Sequence, residues 1–303
     1  MPPAFPAWVG SICQMRGYDP RMRARLAVEE HGAGESLVLI HGIATDRRIW
    51  ELVTPTLAAS RRVVTLDLPG FGQSAPVGDD FDLERVAQRI ARGLAGRGLQ
   101  GPFDLVGHSL GGGVAITLAA LRPRLVRRLI LVAPAGLRPF PAPISRLLAS
   151  SADAALAARR KAASLTDVAW GRRLLLAMTA ADGAALAPTL ARQMIEASES
   201  AKRTAPALAA ITAADLRPTL ASTGAPLGVI WGEADRTVPI RALEEILGAR
   251  PDASIVRIEE AGHVPMIERP DAFVEALERL LADLPTTLIS NYTSPDAVPY
   301  IVP

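Results

Sequence analysis

Ser109 stands in Gly107-His108-Ser109-Leu110-Gly111, a G-x-S-x-G pattern placed where an apolar run gives way to a helical one. Gly112 and Gly113 follow, although each glycine inside a helix costs roughly 1 kcal/mol relative to alanine. Such residues suit a sharp, closely packed turn that holds the serine at its tip. The competing reading is a serine that merely caps the helix. A nucleophilic serine needs a base within hydrogen-bond reach. Of the four histidines, His31 lies in the turn-like "EEHGAGES", and His108 points away from Ser109 along the strand. His41 lies beside the serine only if the first strand end adjoins it. His263, in "EEAGHVPMIERP", leaves the last strand-like run on a loop from which an imidazole can swing over the serine. That imidazole needs an orienting acid. The stretch "GEADRTVP" offers Glu233 and Asp235, and the shorter Asp235 lies deeper in a loop that Val238 and Pro239 close. Glu260 shares the strand of His263 and reads as solvated.

The elements that must position these groups are legible as alternation. Apolar runs at 37–42, 62–70, 103–109, 128–136, 227–235 and 254–263 read as buried strands of a mostly parallel sheet. Amphipathic segments lie between them, among them 82–98, opened by Asp82, and 271–284, opened by Pro270 and Asp271 and stopped by Pro285. The pattern predicts an α/β fold with helices flanking the sheet. From 137 to 222 no strand-like run appears, and an alanine-, leucine- and arginine-rich helical stretch predicts a cap inserted over the carboxyl ends of the strands. The core is expected at 1–136 and 223–284, with an extended or disordered tail at 285–303. Within the cap, Trp170, Met178 and Met194 are candidates to line a pocket.

The chain has 303 residues and a net charge of +2, and 49% of it is hydrophobic, enough for a substantial core. All but two of its 33 basic residues are arginine, scattered in pairs rather than in a basic block, so nucleic-acid binding is not expected. Cys13 is the sole cysteine and the histidines lack metal-ligand spacing, so neither an intrachain disulfide nor a metal site is expected. The apolar run from Phe5 to Cys13 contains a proline and follows no basic residue, which is poor for a signal peptide, and no run reaches the length of a membrane span. Cytoplasmic residence is the expectation. Gly70-Phe71-Gly72-Gln73-Ser74-Ala75 satisfies a dinucleotide fingerprint, yet Pro76 and Gly78 follow where a helix would have to receive a pyrophosphate, so no nucleotide cofactor is expected.

The segments "LVLIHGIATDRRIW", "DLPGFGQSA", "GHSLGGG", "GEADRTVP" and "GHVPMIERP" together resemble the α/β-hydrolase family over residues 33 to 284. The resemblance implies Ser109 as nucleophile, His263 as base and Asp235 as acid. It also implies an oxyanion hole of the Ile43 and Leu110 backbone N–H groups, whose side chains would then shape the acyl pocket. His41 would brace its loop, and His41, Gly42, His108, Trp170, Met178 and Val238 are the expected surroundings of a small-molecule substrate. Relatives that open epoxides or remove halide carry aspartate at the elbow, so Ser109 points to acyl chemistry. Relatives that cleave carbon–carbon bonds usually have tryptophan soon after the histidine, where this chain has Val264-Pro265-Met266. The expected reaction is hydrolysis of a carboxylic ester with an apolar part. Thioesters, amides, lactones, carbon–carbon bonds, acyl transfer and a non-catalytic receptor are the alternatives.

Overall fold

A computed structural model describes residues 26–286. Cys13, the apolar run at 5–13 and the tail beyond residue 286 lie outside the described residues. Seven strands form one sheet: β1 (Val28–His31), β2 (Ser36–Ile40), β3 (Arg62–Leu66), β4 (Phe103–His108), β5 (Val126–Val132), β6 (Leu227–Gly232) and β7 (Ser254–Ile258). Their order is β1-β3-β2-β4-β5-β6-β7, with β1 antiparallel to β3 and every other pair parallel. Six strands are the apolar runs of the sequence. β1 is the exception, and it carries His31 in an edge strand rather than a turn.

Those runs are continuously apolar because both faces of the sheet are covered. Along β2, Leu37 and Leu39 join one buried cluster while Val38 and Ile40 join the other, as side chains alternate across a strand. The flanking helices are α1 (Thr54–Ala58), α2 (Leu83–Ala95) and α3 (Leu110–Leu121), preceding the insertion. Asp82 caps α2 by accepting the Arg85 N–H, as its position predicts. α2 and α3 cover one face with Val86, Ile90, Val114 and Leu118, whereas Leu57 of α1 lies in the opposite cluster.

Between β5 and β6 the chain forms α4 (Ala142–Lys161), α5 (Ala169–Leu175), α6 (Pro188–Glu196), α7 (Thr204–Ala213) and α8 (Arg217–Ala221). α7 roots this insertion in the core, its Ile211 Cδ1 meeting the backbone of α3 where a Cβ on Gly113 would come within 2.6 Å. The insertion expected to end at 222 is shorter as a cover: α8 packs on α3 of the core and on α9 (Leu243–Ala249), with Leu220 fully buried. Helical spacing alone does not tell a capping helix from one lying against the sheet. The chain closes with α10 (Pro265–Glu268) and α11 (Pro270–Asp283), whose Phe273, Leu277 and Leu281 pack in the cluster shared with Leu57. No helix among the described residues is long and apolar enough to cross a membrane.

Candidate active site

Ser109 sits between β4 and α3 with φ 53° and ψ −117°, a conformation that residues with a Cβ rarely adopt and that costs about 1–3 kcal/mol. The core holds it there. Its N–H donates to Val132 O at 2.9 Å, and its carbonyl accepts from Gly112 N at 2.9 Å and Ala135 N at 3.0 Å. Its hydroxyl makes no capping bond to α3, so the fold does not use this serine as a simple N-cap. Two glycines let α3 press against the strand ends. A Cβ on Gly107 would lie 2.4 Å from Gly111 O, and one on Gly111 would lie 2.3 Å from His41 O.

The loop after β6 folds around the Asp235 carboxylate. Oδ1 accepts the N–H groups of Thr237 at 2.8 Å and Val238 at 2.9 Å, leaving Oδ2 to accept from His263 Nδ1 at 2.7 Å. The Asp235 side chain is fully buried and that of His263 nearly so. With Nδ1–H donating to the carboxylate, His263 Nε2 is left as the proton acceptor. Ser109 and His263 line one cavity of about 260 Å³. No hydrogen bond joins their side chains among the described residues; such bonds often form only when substrate is bound. The other acids lie elsewhere: Glu260 pairs with Arg269 at 2.7 Å and Glu233 is exposed.

Residues 37–276 match the sequence profile of the Alpha/beta hydrolase family. The chain belongs to that family. It is 31% identical over 287 residues to a pimeloyl-[acyl-carrier protein] methyl ester esterase of Aeromonas hydrophila, an alignment covering 84% of this chain and 99% of the relative. To the esterase of the same description from Nitrosomonas europaea it is 30% identical over 261 residues, covering 85% and 100%. Among solved structures, a thermophilic esterase from Thermogutta terrifontis matches with a TM-score of 0.70 at 26% identity, covering 85% of this chain and 93% of that one.

In this α/β hydrolase the remaining expected residues divide by environment. His108 and Met178 line the cavity, as do Met194 and Ile43. His108 is buried, donates from Nε2 to His263 O at 2.8 Å and stacks obliquely on the His263 ring at 4.7 Å. Burial, then the neighbouring His263, holds it well below its ordinary 6.5, so it is neutral. His41 is wholly buried and outside the cavity wall; its Nε2 accepts from Leu68 N at 2.9 Å while Nδ1 donates to Gly42 O at 2.7 Å. It braces two loops and, with burial lowering its pKa, stays neutral. Gly42 acts through absence of bulk, since a Cβ there would lie 2.8 Å from His108 Nδ1 and 3.1 Å from Ser109 Cβ.

Besides His41 and Gly42, which do not line the cavity, the expectations for Trp170, Val238 and the Leu110 side chain are corrected. Trp170 is 62% exposed and does not line the cavity, because α5 turns that side of the helix to solvent. Val238 is spent on the loop, its N–H on Asp235 and its carbonyl on Trp231 Nε1 at 3.1 Å, and Thr237 takes its place at the wall. The Leu110 side chain is buried in the core cluster rather than shaping an acyl pocket.

Glu268 escaped the sequence reading. Its carboxylate accepts Gly262 N at 2.9 Å, Val264 N at 3.3 Å and Ala181 N at 2.6 Å, tying the His263 loop to the helical insertion between β5 and β6. Burial pushes its pKa up against these three donors. The same cap segment takes further bonds: His263 N donates to Thr179 O at 2.9 Å, and Thr237 Oγ1 to Met178 O at 2.7 Å. The only advance signal was a glutamate five residues after the histidine, indistinguishable by type from a solvated one.

Proposed function

We propose that this chain hydrolyses carboxylic esters with an apolar acyl or alcohol part through an acyl-enzyme, with Ser109 as nucleophile, His263 as base and Asp235 as orienting acid. The observation that carries this reading is the 2.7 Å His263–Asp235 contact in the cavity lined by the strained Ser109. Ser109 Oγ attacks the ester carbonyl carbon and gives its proton to His263 Nε2, while Asp235 stabilises the imidazolium. Charge develops on the carbonyl oxygen. The N–H groups of Leu110, at the first turn of α3, and of Ile43, which lines the cavity, are assigned to that oxyanion. Such a donor typically contributes about 2.7–4 kcal/mol to the transition state. Collapse expels the alcohol with the proton from His263. Water then attacks the acyl-Ser109 ester as His263 takes its proton, and collapse breaks the acyl–Oγ bond, His263 returning the proton to Ser109 Oγ as the acid leaves.

The wall supports an apolar substrate: Ile49, Leu156, Leu190, Met194 and Val264 contribute to it. The named esterases among the relatives support ester over other acyl substrates. The test is a fluorophosphonate probe with peptide mapping, run beside hydrolysis of short p-nitrophenyl esters and matched thioesters and amides. Labelling at Ser109 with preferred turnover of esters is expected. An unlabelled, inactive protein overturns the reading, and a thioester or amide preference moves the substrate class.

A further inference from the structure

Arg159, in the last turn of α4, lines the cavity shared by Ser109 and His263. Its Nε and Nη2 are closed off from solvent and have no hydrogen-bond partner. Other arginines with a buried Nε use their remaining nitrogens: Arg172 donates to Thr166 O at 2.8 Å and Ala184 O at 3.0 Å, and Arg47 pairs with Glu29 at 2.7 Å. Arg159 forms no hydrogen bond or ion pair of this kind among the described residues, whereas the adjacent Arg160 donates to Ser198. Burial of this unpaired guanidinium lowers its pKa, the direction expected of a cation lacking a counter-charge. The other charged residues at the wall, Asp46 and Arg48, satisfy each other at 2.8 Å and leave no carboxylate for Arg159. Burial works against the charge of Asp46 but is outweighed by these bonds from Arg48, which hold its carboxyl below the ordinary range.

A partly buried guanidinium whose Nε and Nη2 are sealed from water without a partner destabilises a fold unless something supplies the missing acceptor. A guanidinium fork fits a carboxylate or phosphate in bidentate fashion. We infer that Arg159 is a specificity residue that binds an oxyanion on the substrate, placed at the far end of an aliphatic stem from the scissile ester. The inference rests on the ester-hydrolase reading for the scissile end, but the anion subsite exists independently of turnover. The apolar wall takes the stem and Arg159 takes the anionic terminus.

The test pairs the mono-p-nitrophenyl ester of adipic acid with its neutral methyl diester, assayed with wild type, Arg159→Met and Arg159→Lys. Wild type is expected to favour the anionic ester at least tenfold in kcat/KM. Arg159→Met should erase the preference, losing at least tenfold in kcat/KM on the anionic ester, chiefly through KM, and far less on the neutral ester, and Arg159→Lys should recover part of it. The preference remaining in Arg159→Met overturns the inference. Calorimetric titration of wild type and Arg159→Met with adipate, butyl phosphate and hexanol separates this outcome from a failure of ester hydrolysis. Binding of either anion by wild type alone upholds the subsite even in an inactive protein, and the stronger anion identifies the terminal group. No anion binding by wild type, or equal binding by both proteins, overturns it. Removal of this partly buried, unpaired guanidinium edge should also raise the Tm of Arg159→Met, which guards against a folding defect as the cause of lost binding.

Discussion

The Ser109 turn and the His263 loop lie at one cavity but are held by different parts of the molecule. Ser109 is fixed from within the core by Val132, Ala135 and Gly112. The His263 loop is fixed largely from the cap, through Thr179 O and, by way of Glu268, through Ala181 N. The Ser109 backbone bonds only within the core. The His263 loop thus hydrogen-bonds to the insertion directly, whereas the insertion reaches the Ser109 turn only by packing of Ile211 on α3.

Substitutions can break this contrast from either side. Ser109→Ala should abolish ester turnover, by about 10⁴–10⁶-fold in kcat, while circular dichroism and Tm stay those of the parent; retained turnover would refute the assignment. Asp235→Asn should lower kcat by about 10⁴-fold by favouring the wrong His263 tautomer, with folding intact and KM little changed.

Glu268→Ala tests the clamp itself. It strands the Ala181 and Gly262 N–H groups, which should lower stability by about 1–3 kcal/mol and kcat by roughly tenfold, the equivalent of about 1.4 kcal/mol of lost positioning. Urea unfolding and steady-state kinetics measure the two effects, and a stability loss with unchanged kcat would mean that the cap does not govern the base. The smallest expected effect is that of Thr237→Val, which removes the bond to Met178 O and should cost about 0.5–1.5 kcal/mol with only a few-fold loss in kcat.

A pH series sharpens the contrast from the buried end. His41 and His108 have pKa values lowered below the ordinary 6.5, so the unfolded chain takes up protons that the folded chain refuses. Stability should therefore be full above about pH 6.5 and decline as pH falls through that value toward the folded-state values. Glu268, with its pKa raised, acts in the opposite sense nearer its ordinary 4.5, so urea midpoints are best compared at about pH 7.5 and 5.5. A midpoint unchanged or higher at the lower pH would show that these histidines are not held neutral.

The sequence exposed what is dictated by periodicity and by residues of unusual type. Parallel strands buried on both faces stand out as unbroken apolar runs, and the serine between glycines stands out because glycine is an improbable choice at a helix start. β1 could not be read the same way: three of its four residues are exposed, so "VEEH" carries no apolar signal and becomes a strand only by pairing with β3. Trp170 misled because aromatic residues suit pocket walls and outer helix faces alike. Glu268 and Arg159 were hidden among many charged residues, since their significance is burial, a property of the assembled fold rather than of the side chain.

Gly262 draws a practical boundary around this architecture. A Cβ there would lie 2.7 Å from Ala181 N and 3.0 Å from Thr179 O, so lid and loop meet backbone to backbone. A lid grafted from a cousin would have to offer the same ledge of one carbonyl and one amide at matching height, whatever side chains it brought. Chimaeras in this lineage are thus limited by main-chain register, and a library that shuffles lids should recover activity only where that ledge survives the splice.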